Sequence, residues 1–161
     1  MPEGPCPGDG EDMNAEQTNM TGSVAMSVEQ CYELLPTVPV GRIVFTENAL
    51  PAIQPVNFIV DRNDVVFRTS RGSKVAAAAR SAVVAFEVDT YNDSLTHGWS
   101  VVLIGRAQVV VDPDERARLA ELPLRPLVGD TGSTFIRVIP EIVRGRQVSS
   151  PVPTTAEPSP S

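Results

Sequence analysis

Residues 99–111, WSVVLIGRAQVVV, form the longest β-prone run of the chain. Branched aliphatic and aromatic side chains of this kind are enriched in strands because they pack well on a pleated surface. Gly105 lies in the middle of the run, and an isolated glycine inside a strand pattern indicates a bulge or a sharp coil. The run therefore predicts one long strand that is distorted at Gly105.

Shorter runs of the same kind surround it. They occupy residues 41–46, 53–60, 65–69, 83–89 and 133–139. Pro55 lies inside the second run, and because proline cannot donate a ladder hydrogen bond, we expect it at an edge or a bulge. Helices are expected after the capping-box sequence that starts at Ser27, over the alanine-rich residues 73–82, and after Asp112. Only one helix-length crossover lies between the third and fourth runs, which disfavours a doubly wound parallel sheet. The pattern predicts a mainly β protein: a six-stranded antiparallel split β-barrel with about three short helices.

Composition divides the 161 residues into a folded part and two tails. Residues 1–26 are acidic and residues 149–161 are rich in proline and serine, so both are predicted to be disordered. The formal net charge is −7, but most of the excess negative charge lies in the tails, and residues 27–148 are nearly neutral. Without clustered cations, nucleic acid is not an expected partner.

The amino-acid composition also gives expectations for the cellular location and for metal binding. The chain has no apolar run long enough for a membrane helix and no secretory signal pattern, so a cytoplasmic location is expected, with no membrane partner. Two separated cysteines and one histidine are too few for a structural zinc site, so no metal is expected.

The segment FRTSRGSK, residues 67–74, concentrates groups that bind anions. Gly72 allows a tight turn between a strand and a helix that begins at Ser73-Lys74. Two hydroxyls, Thr69 and Ser73, and three cations, Arg68, Arg71 and Lys74, surround the turn; Lys74 is the only lysine in the chain. The segment predicts either a phosphate-binding turn or an ordinary capped turn with solvated cations.

Other candidates give weaker signals. Asn57 is polar within an apolar strand, where its amide could reach a ligand or a neighbouring loop. His97 is the only histidine and precedes Trp99 and Ser100 at a loop-to-strand junction. The hydrolase patterns G-x-S-x-G and H-E-x-x-H are absent, as is the dinucleotide-binding pattern G-x-G-x-x-G, and no catalytic residue is assigned.

Eight short segments in order resemble those of the pyridoxamine 5′-phosphate oxidase-like, flavin-binding split-barrel proteins, in the branch frequent in actinobacteria. They are Cys31 with Leu34-Leu35, VGR 40–42, PVNF 55–58, FRT 67–69 with GSK 72–74, VAFEVD 84–89, GWSV 98–101, GRA 105–107 and GR 145–146. The resemblance covers residues 28–148 and implies a homodimer with FMN bound at the dimer interface.

The resemblance also implies site residues. The strand at the isoalloxazine edge corresponds to Pro55, Val56 and Asn57. The phosphate-binding elements correspond to Thr69, Ser73 and Lys74, with Arg68 beside them. A polar position of the oxidases corresponds to Ser100, whose hydroxyl would reach the flavin edge. Val143 stands where the oxidases carry an aromatic residue over the cofactor, Leu127 follows Pro126 where this branch commonly has tryptophan, and the substrate-phosphate arginine and histidine pattern is missing. These departures disfavour vitamin B6 as the substrate.

The resulting expectation is an FMN-dependent oxidoreductase acting on an unidentified small molecule. A deazaflavin in the same groove is a close variant. The alternative is a protein without turnover that binds or senses flavin, deazaflavin or haem, and for haem His97 is the only imidazole ligand that the chain offers.

Overall fold

The computed structural model describes residues 22–80, 82–125, 127 and 134–150. These residues form seven strands and three α-helices: β1 (Ser23–Met26), α1 (Val28–Leu34), β2 (Val40–Glu47), β3 (Leu50–Asp61), β4 (Asp64–Thr69), α2 (Lys74–Ala78), β5 (Val83–Tyr91), β6 (His97–Val109), α3 (Pro113–Ala120) and β7 (Thr134–Ser149). A single 3-10 turn, Leu35–Thr37, follows α1. The predicted disorder of residues 1–21 and 151–161 lies outside the described residues.

Six of the strands close into an antiparallel ring in the order β7-β4-β3-β2-β5-β6, with β6 pairing again with β7. The 16-residue β7 makes this possible, because it pairs with β4 at its beginning and with β6 along most of its length. The predicted six-stranded barrel is therefore confirmed.

The seventh strand shows that the predicted boundary of the disordered N-terminal tail is wrong. Residues 23–26, which were expected to be disordered, form β1 and pair with Gly145–Val148 of β7. A Cβ on Gly145 would lie 2.4 Å from Cys31 Sγ and 2.5 Å from Met26 Cε, so the missing side chain is what allows β1 and α1 to pack there. Four residues with mixed polarity carry no strand signal of their own, and only this distant partner orders them.

Both irregularities that the sequence predicts are present. The β6–β7 register shifts at Gly105: Ile104 pairs with Ile142 but Gly105 pairs with Pro140, so one residue of β7 bulges. Pro55 pairs with Arg42 of β2, whereas β4 pairs only with Phe58–Asp61 of β3. Pro55 therefore lies in an edge segment of β3, where its missing N–H costs no ladder bond.

Three helices cover different parts of the barrel. Ser27 and Gln30 form the predicted capping box of α1, which buries Cys31, and the 3-10 turn after α1 buries Leu35. The helix α2 has only five residues, fewer than the predicted 73–82, and buries Val75. The helix α3 starts at the Asp112 cap and lies on the outer wall, where a second small core forms from Val66, Leu119, Leu124 and Phe135.

The opposite side of the outer wall carries a continuous line of apolar side chains, which we term the outer apolar row. Its members are register partners on five successive strands: Ile53, Val44, Ala85, Ile104 and Ile142. Strand residues alternate between faces, and the neighbours Ile43, Phe86 and Leu103 are buried inside the barrel. Ile53 is 67% exposed and Ile142 40% exposed, so this row is uncovered at both ends.

Candidate functional site

The ladder between β3 and β4 ends while both strands continue. Its last pair is Phe58 with Phe67, yet β3 extends back to Leu50 and β4 extends forward to Thr69. Among the described residues, residues 50–57 of β3 pair with β2 alone. We term the opening between residues 50–57 and residues 68–74 the β3–β4 split. No described strand takes the backbone donors and acceptors on that side of β3.

The split brings together the two predicted groups of site residues. Pro55, Val56 and Asn57 lie on the β3 side, and Arg68 and Thr69 lie on the β4 side. Val56 is buried toward the barrel interior and Pro55 is exposed. If the ladder continued by one pair, Asn57 would face Arg68. The two sequence segments thus form the two walls of one opening.

The Asn57 side chain bridges two loops. Its Nδ2 donates to the Pro39 carbonyl at 2.8 Å, and its Oδ1 accepts from the Arg125 amide at 3.3 Å. Of the two interpretations of Asn57, the structure shows the hydrogen bond to a neighbouring loop. Asn57 therefore fixes the shape of the wall. An apolar hollow of about 400 Å³, lined by Pro39 and Phe58 among others, adjoins it.

Thr69 and Ser73 form the predicted turn. Thr69 is 1% exposed, and its hydroxyl donates to Ser73 Oγ at 2.9 Å. Ser73 Oγ also accepts from the Ala76 amide at 3.0 Å, as the cap of α2. Gly72 lies between them with φ +81°, the left-handed region that favours glycine. A hydroxyl has two acceptor positions and one proton, so with both acceptor positions used, Ser73 presents its O–H as a donor. A phosphate oxygen is a suitable acceptor.

The cations around the turn have different surroundings. Lys74 is exposed, and its Nζ lies 3.0 Å from Glu47 Oε1. Arg68 lies on the outer face of β4, with its guanidinium carbon 5.0 Å from the centre of the Phe135 ring, a cation–π contact. Adjacent strand residues point to opposite faces, so Arg68 and Thr69 point away from each other. The structure therefore groups Lys74 with Thr69 and Ser73 and separates Arg68 from them.

Ser100 lies away from the split within one chain. It is on β6, paired with Asp89 of β5 and Arg146 of β7, and β2 and β5 lie between β6 and β3. His97 begins β6, and its Nδ1 contacts Thr96 Oγ1 at 3.0 Å in an exposed loop. In the strand order, β2 and β5 therefore separate both residues from residues 50–57 of the same chain.

Other reactive groups in the described part of the chain have structural roles. Burial raises the pKa of the Cys31 thiol, which packs as a small apolar side chain. Among residues 22–80, 82–125, 127 and 134–150, no group of three histidine, cysteine or carboxylate side chains is arranged to hold a metal ion. In the same ranges, no helix is long and apolar enough to span a membrane.

The sequence did not indicate one feature of this region, a groove beside α2. A hollow of about 600 Å³ is lined by Arg71, Arg80, Gln108 and Thr134 among others. Arg71 and Arg80 flank α2, whereas Gln108 lies on β6 and Thr134 on β7, and no local sequence pattern connects these segments.

Comparison with known proteins identifies the family. The pyridoxamine 5′-phosphate oxidase family model matches residues 27–147. The chain belongs to this family. Uncharacterized protein Rv0080 of Mycobacterium tuberculosis is 41% identical over 130 residues, which are 78% of this chain and 85% of that protein.

Two solved structures are similar over most of their length. An FAD-binding protein of Mycobacterium smegmatis is 34% identical with a TM-score of 0.68, covering 78% of this chain and 98% of that one. A candidate pyridoxamine 5′-phosphate oxidase of Corynebacterium glutamicum is 29% identical with a TM-score of 0.69, covering 80% and 94%. The split barrel is thus the fold of the family and of this chain.

Proposed function

We propose that this chain is a flavin-dependent oxidoreductase acting on a small molecule. Its β3–β4 split would hold an FMN unit, either FMN itself or the FMN half of FAD. The observation that carries the proposal is the end of the β3–β4 ladder at Phe58 and Phe67, which leaves an open strand edge opposite the Thr69–Ser73 turn. The family membership and the FAD-binding relative from M. smegmatis support it.

The chemistry of the two walls fits a flavin phosphate ester. The pyrimidine edge of a flavin alternates N–H and C=O groups, which would pair with backbone groups at the open edge of β3, where Pro55 offers only its carbonyl. At the other wall, the Ser73 hydroxyl is left as a donor and Lys74 adds a positive charge, which suits a phosphate.

Bound flavin supplies the redox chemistry, and the protein supplies binding, orientation and electrostatics. In this division of roles, Asn57 holds the β3 wall in place through Pro39 and Arg125. Val56, buried toward the barrel interior, anchors that wall in the core, and Ser73 with Lys74 sets the position of the phosphate end.

The proposal includes a homodimer. The outer apolar row spans five strands and has no cover among the described residues, whereas α3 covers the other half of the outer wall. Apolar patches of this extent are typical of permanent interfaces. A second copy of the chain would cover the row, and Ser100 of β6 could then take part in a site only across that interface. We also place the protein in the cytoplasm, where its cysteines would remain reduced.

The visible spectrum of the purified protein tests the cofactor. A flavin spectrum that persists through gel filtration is expected, and FMN or FAD should restore it to apoprotein. A deazaflavin spectrum or a Soret band would contradict the flavin proposal and point to a deazaflavin or haem protein instead. Anaerobic reduction of the bound flavin, followed by reoxidation on adding small-molecule acceptors, tests turnover. If the bound flavin exchanges electrons with none of the added donors or acceptors, the protein is a flavin carrier without turnover.

A further inference from the structure

The apolar hollow beside Asn57 borders the proposed flavin site. We term this space of about 400 Å³ the Asn57 hollow, and around Asn57 it is lined by Pro36, Val38, Pro39, Ile59, Leu122 and Pro123. Asn57 also belongs to the β3 wall of the β3–β4 split. The hollow therefore lies next to the wall along which the flavin would bind.

Three segments of the chain enclose the Asn57 hollow: residues 36–39 before β2, the strand β3, and the loop that follows α3. The Phe58 amide donates to the Pro39 carbonyl at 3.3 Å, which holds the first segment against β3. The Asn57 side chain joins both outer segments to β3, because Nδ2 donates to the same carbonyl and Oδ1 accepts from the Arg125 amide. One side chain of the flavin wall thus fixes the two rims of the hollow.

The described lining of the hollow carries one ionisable group, the carboxylate of Asp61. That carboxylate accepts hydrogen bonds from Arg118 at 3.1 and 2.7 Å and from Arg137 at 2.9 Å, and its side chain is only 10% exposed. Both polar atoms of the Asn57 amide are also bonded. A charged ligand would lose its hydration there without gaining an opposite charge, which is strongly unfavourable.

The size and surface of the hollow suit a small apolar molecule. Its volume of about 400 Å³ lies near the lower end of the roughly 300–1,000 Å³ that is usual for small-molecule sites. Its rims are formed by proline, valine and leucine side chains, which gain from covering apolar ligand surface. The cation proposed to bind phosphate, Lys74, belongs to the opposite wall of the split. The two walls therefore differ in the chemistry that they offer.

From this geometry we infer that the Asn57 hollow is the substrate subsite, and that it selects an uncharged, apolar molecule of one or two rings over an anion of the same shape. The inference rests on the proposed function, since it names the substrate class for a flavin held at the neighbouring wall.

Two ligands of the same shape and different charge test the inference. Naphthalene-2-carboxamide is neutral and naphthalene-2-carboxylate is an anion. Each is titrated by calorimetry into the full-length protein as purified, and the flavin absorption spectrum is recorded at each addition. The spectrum reports whether a bound ligand lies beside the flavin.

Two variants reduce the space in the hollow, and one is a control. Leu122→Trp would fill the hollow, but Leu122 also packs on the second core. Pro123→Trp is the second variant, because Pro123 lines the hollow, is exposed and does not belong to that core. Leu95→Trp is the matched control, since Leu95 is 72% exposed in the β5–β6 loop, away from the hollow. Melting temperatures identify any variant that fails to fold.

We expect the wild type to bind the amide at least tenfold more tightly than the carboxylate, and the amide to shift the flavin absorption bands. Leu122→Trp and Pro123→Trp should each weaken amide binding at least tenfold and abolish the shift, whereas Leu95→Trp should stay within twofold of the wild type.

Four results would overturn the inference while leaving the flavin proposal intact: no amide binding, equal affinities for amide and carboxylate, amide binding that both hollow variants retain, or amide binding without a change in the flavin spectrum. A protein that binds neither FMN nor FAD would instead overturn the proposed function. The ratio of amide to carboxylate affinity would then still decide the selectivity of the hollow.

Discussion

Arg118 of α3 forms a two-point ion pair with Asp61 at the end of β3, with Nη1–Oδ1 at 3.1 Å and Nη2–Oδ2 at 2.7 Å. Arg137 of β7 reaches the same carboxylate at 2.9 Å. Glu115 and Asp64 complete a cluster of two guanidinium and three carboxylate groups. The Asp61 side chain is only 10% exposed, and hydrogen bonds from Arg118 lower its pKa from the ordinary value of 3.8 to about 2. The cluster fastens α3 over the second core.

The lowered pKa of Asp61 predicts how the free energy of unfolding depends on pH. A carboxyl whose pKa is lowered by folding adds stability that is complete above its unfolded pKa and is lost as the pH falls through the folded value. Asp61 should therefore contribute about 2 kcal/mol at neutral pH, lost between about pH 5 and pH 2. The free energy of unfolding, measured by urea denaturation at each pH, checks this.

The variant Asp61→Asn isolates the effect. It should lower the free energy of unfolding at pH 7 by about 2–3 kcal/mol, because two guanidinium groups lose a buried partner. It should also flatten the decline in stability below pH 4. Asp93→Asn in an exposed loop is the control and should stay within about 0.5 kcal/mol of the wild type. An unchanged acid profile in Asp61→Asn would contradict this assignment.

Local signals in the sequence predicted much of the fold. The Ser27 capping box and the Asp112 cap each depend on one residue type and its immediate neighbours. Such features are set by backbone geometry within a few residues, so they can be inferred without knowing the topology.

Features that depend on distant partners were not predictable in this way. The strand β1 forms because Gly145 leaves room for Met26, more than a hundred residues away. Ser100 lies apart from the split because β2 and β5 separate it from β3. The hollow beside α2 is lined by both Arg80 and Gln108, which only the closed barrel brings near each other. The two walls of the split were predictable as segments, but their position at the end of one ladder was not.

Glycine is required at position 105 because the backbone of β7 leaves no room for a Cβ there. A Cβ at this position would lie 1.9 Å from the Ile139 carbonyl oxygen and 2.7 Å from the Ile139 carbonyl carbon. Backbone on a paired strand cannot move aside as a side chain can, so Gly105→Ala should cost roughly 3 kcal/mol, the upper end of the usual overpacking cost.

Gly72→Ala is the matched comparison for Gly105→Ala. Nothing lies within 4 Å of a Cβ there, but φ is +81°, so only the left-handed backbone conformation is penalised, by about 1–2 kcal/mol. Urea denaturation of both variants measures the difference. If Gly72→Ala proved the more damaging of the two, the tight β6–β7 contact at Gly105 would be contradicted.

The proposed dimer depends on the outer apolar row. Replacing Ile53 and Ile142 together by glutamate would place two charges against a partner at its most exposed positions. Sedimentation equilibrium at micromolar concentration should give twice the 17.2 kDa chain mass for the wild type and one chain mass for the double variant.

Leu95→Glu serves as the control for the dimer. Leu95 is 72% exposed but lies in the β5–β6 loop, outside the row, so its variant should remain a dimer. A wild-type chain that sediments as a monomer would refute the dimer and weaken a site shared between chains.

Trimming experiments test the extent of the folded part. A chain of residues 22–150 should keep the melting temperature and the flavin affinity of the full chain, because residues 1–21 and 151–161 are predicted from their composition to add no packing. Further trimming to residue 27 removes β1 and its four pairs with β7. That loss should cost about 2 kcal/mol, or roughly 5–10 °C in melting temperature for a domain of this size. A melting temperature that falls already at residues 22–150 would show that a tail packs on the domain.

Lys74 and Glu47 give the sharpest test of the phosphate turn. Lys74 Nζ lies 3.0 Å from Glu47 Oε1, but the Lys74 side chain is 75% exposed, and ion pairs this exposed contribute little to stability. Lys74→Ala should therefore leave the free energy of unfolding within about 0.5 kcal/mol of the wild type.

The effect on flavin binding should be larger and should depend on the phosphate. Lys74→Ala should weaken FMN binding by about 1.5–3 kcal/mol, the usual range for hydrogen bonds to charged groups, which is roughly ten- to a hundredfold in affinity. Riboflavin, which lacks the phosphate, should bind the wild type weakly and be little affected. Glu47→Gln should leave the FMN affinity unchanged or increase it, because the Lys74 ammonium group then no longer pairs with a carboxylate. Fluorescence titration of both ligands against the three proteins measures all of these affinities. Equal losses for FMN and riboflavin in Lys74→Ala would show that Lys74 does not contact the phosphate, and no loss for either would make it a solvated surface charge.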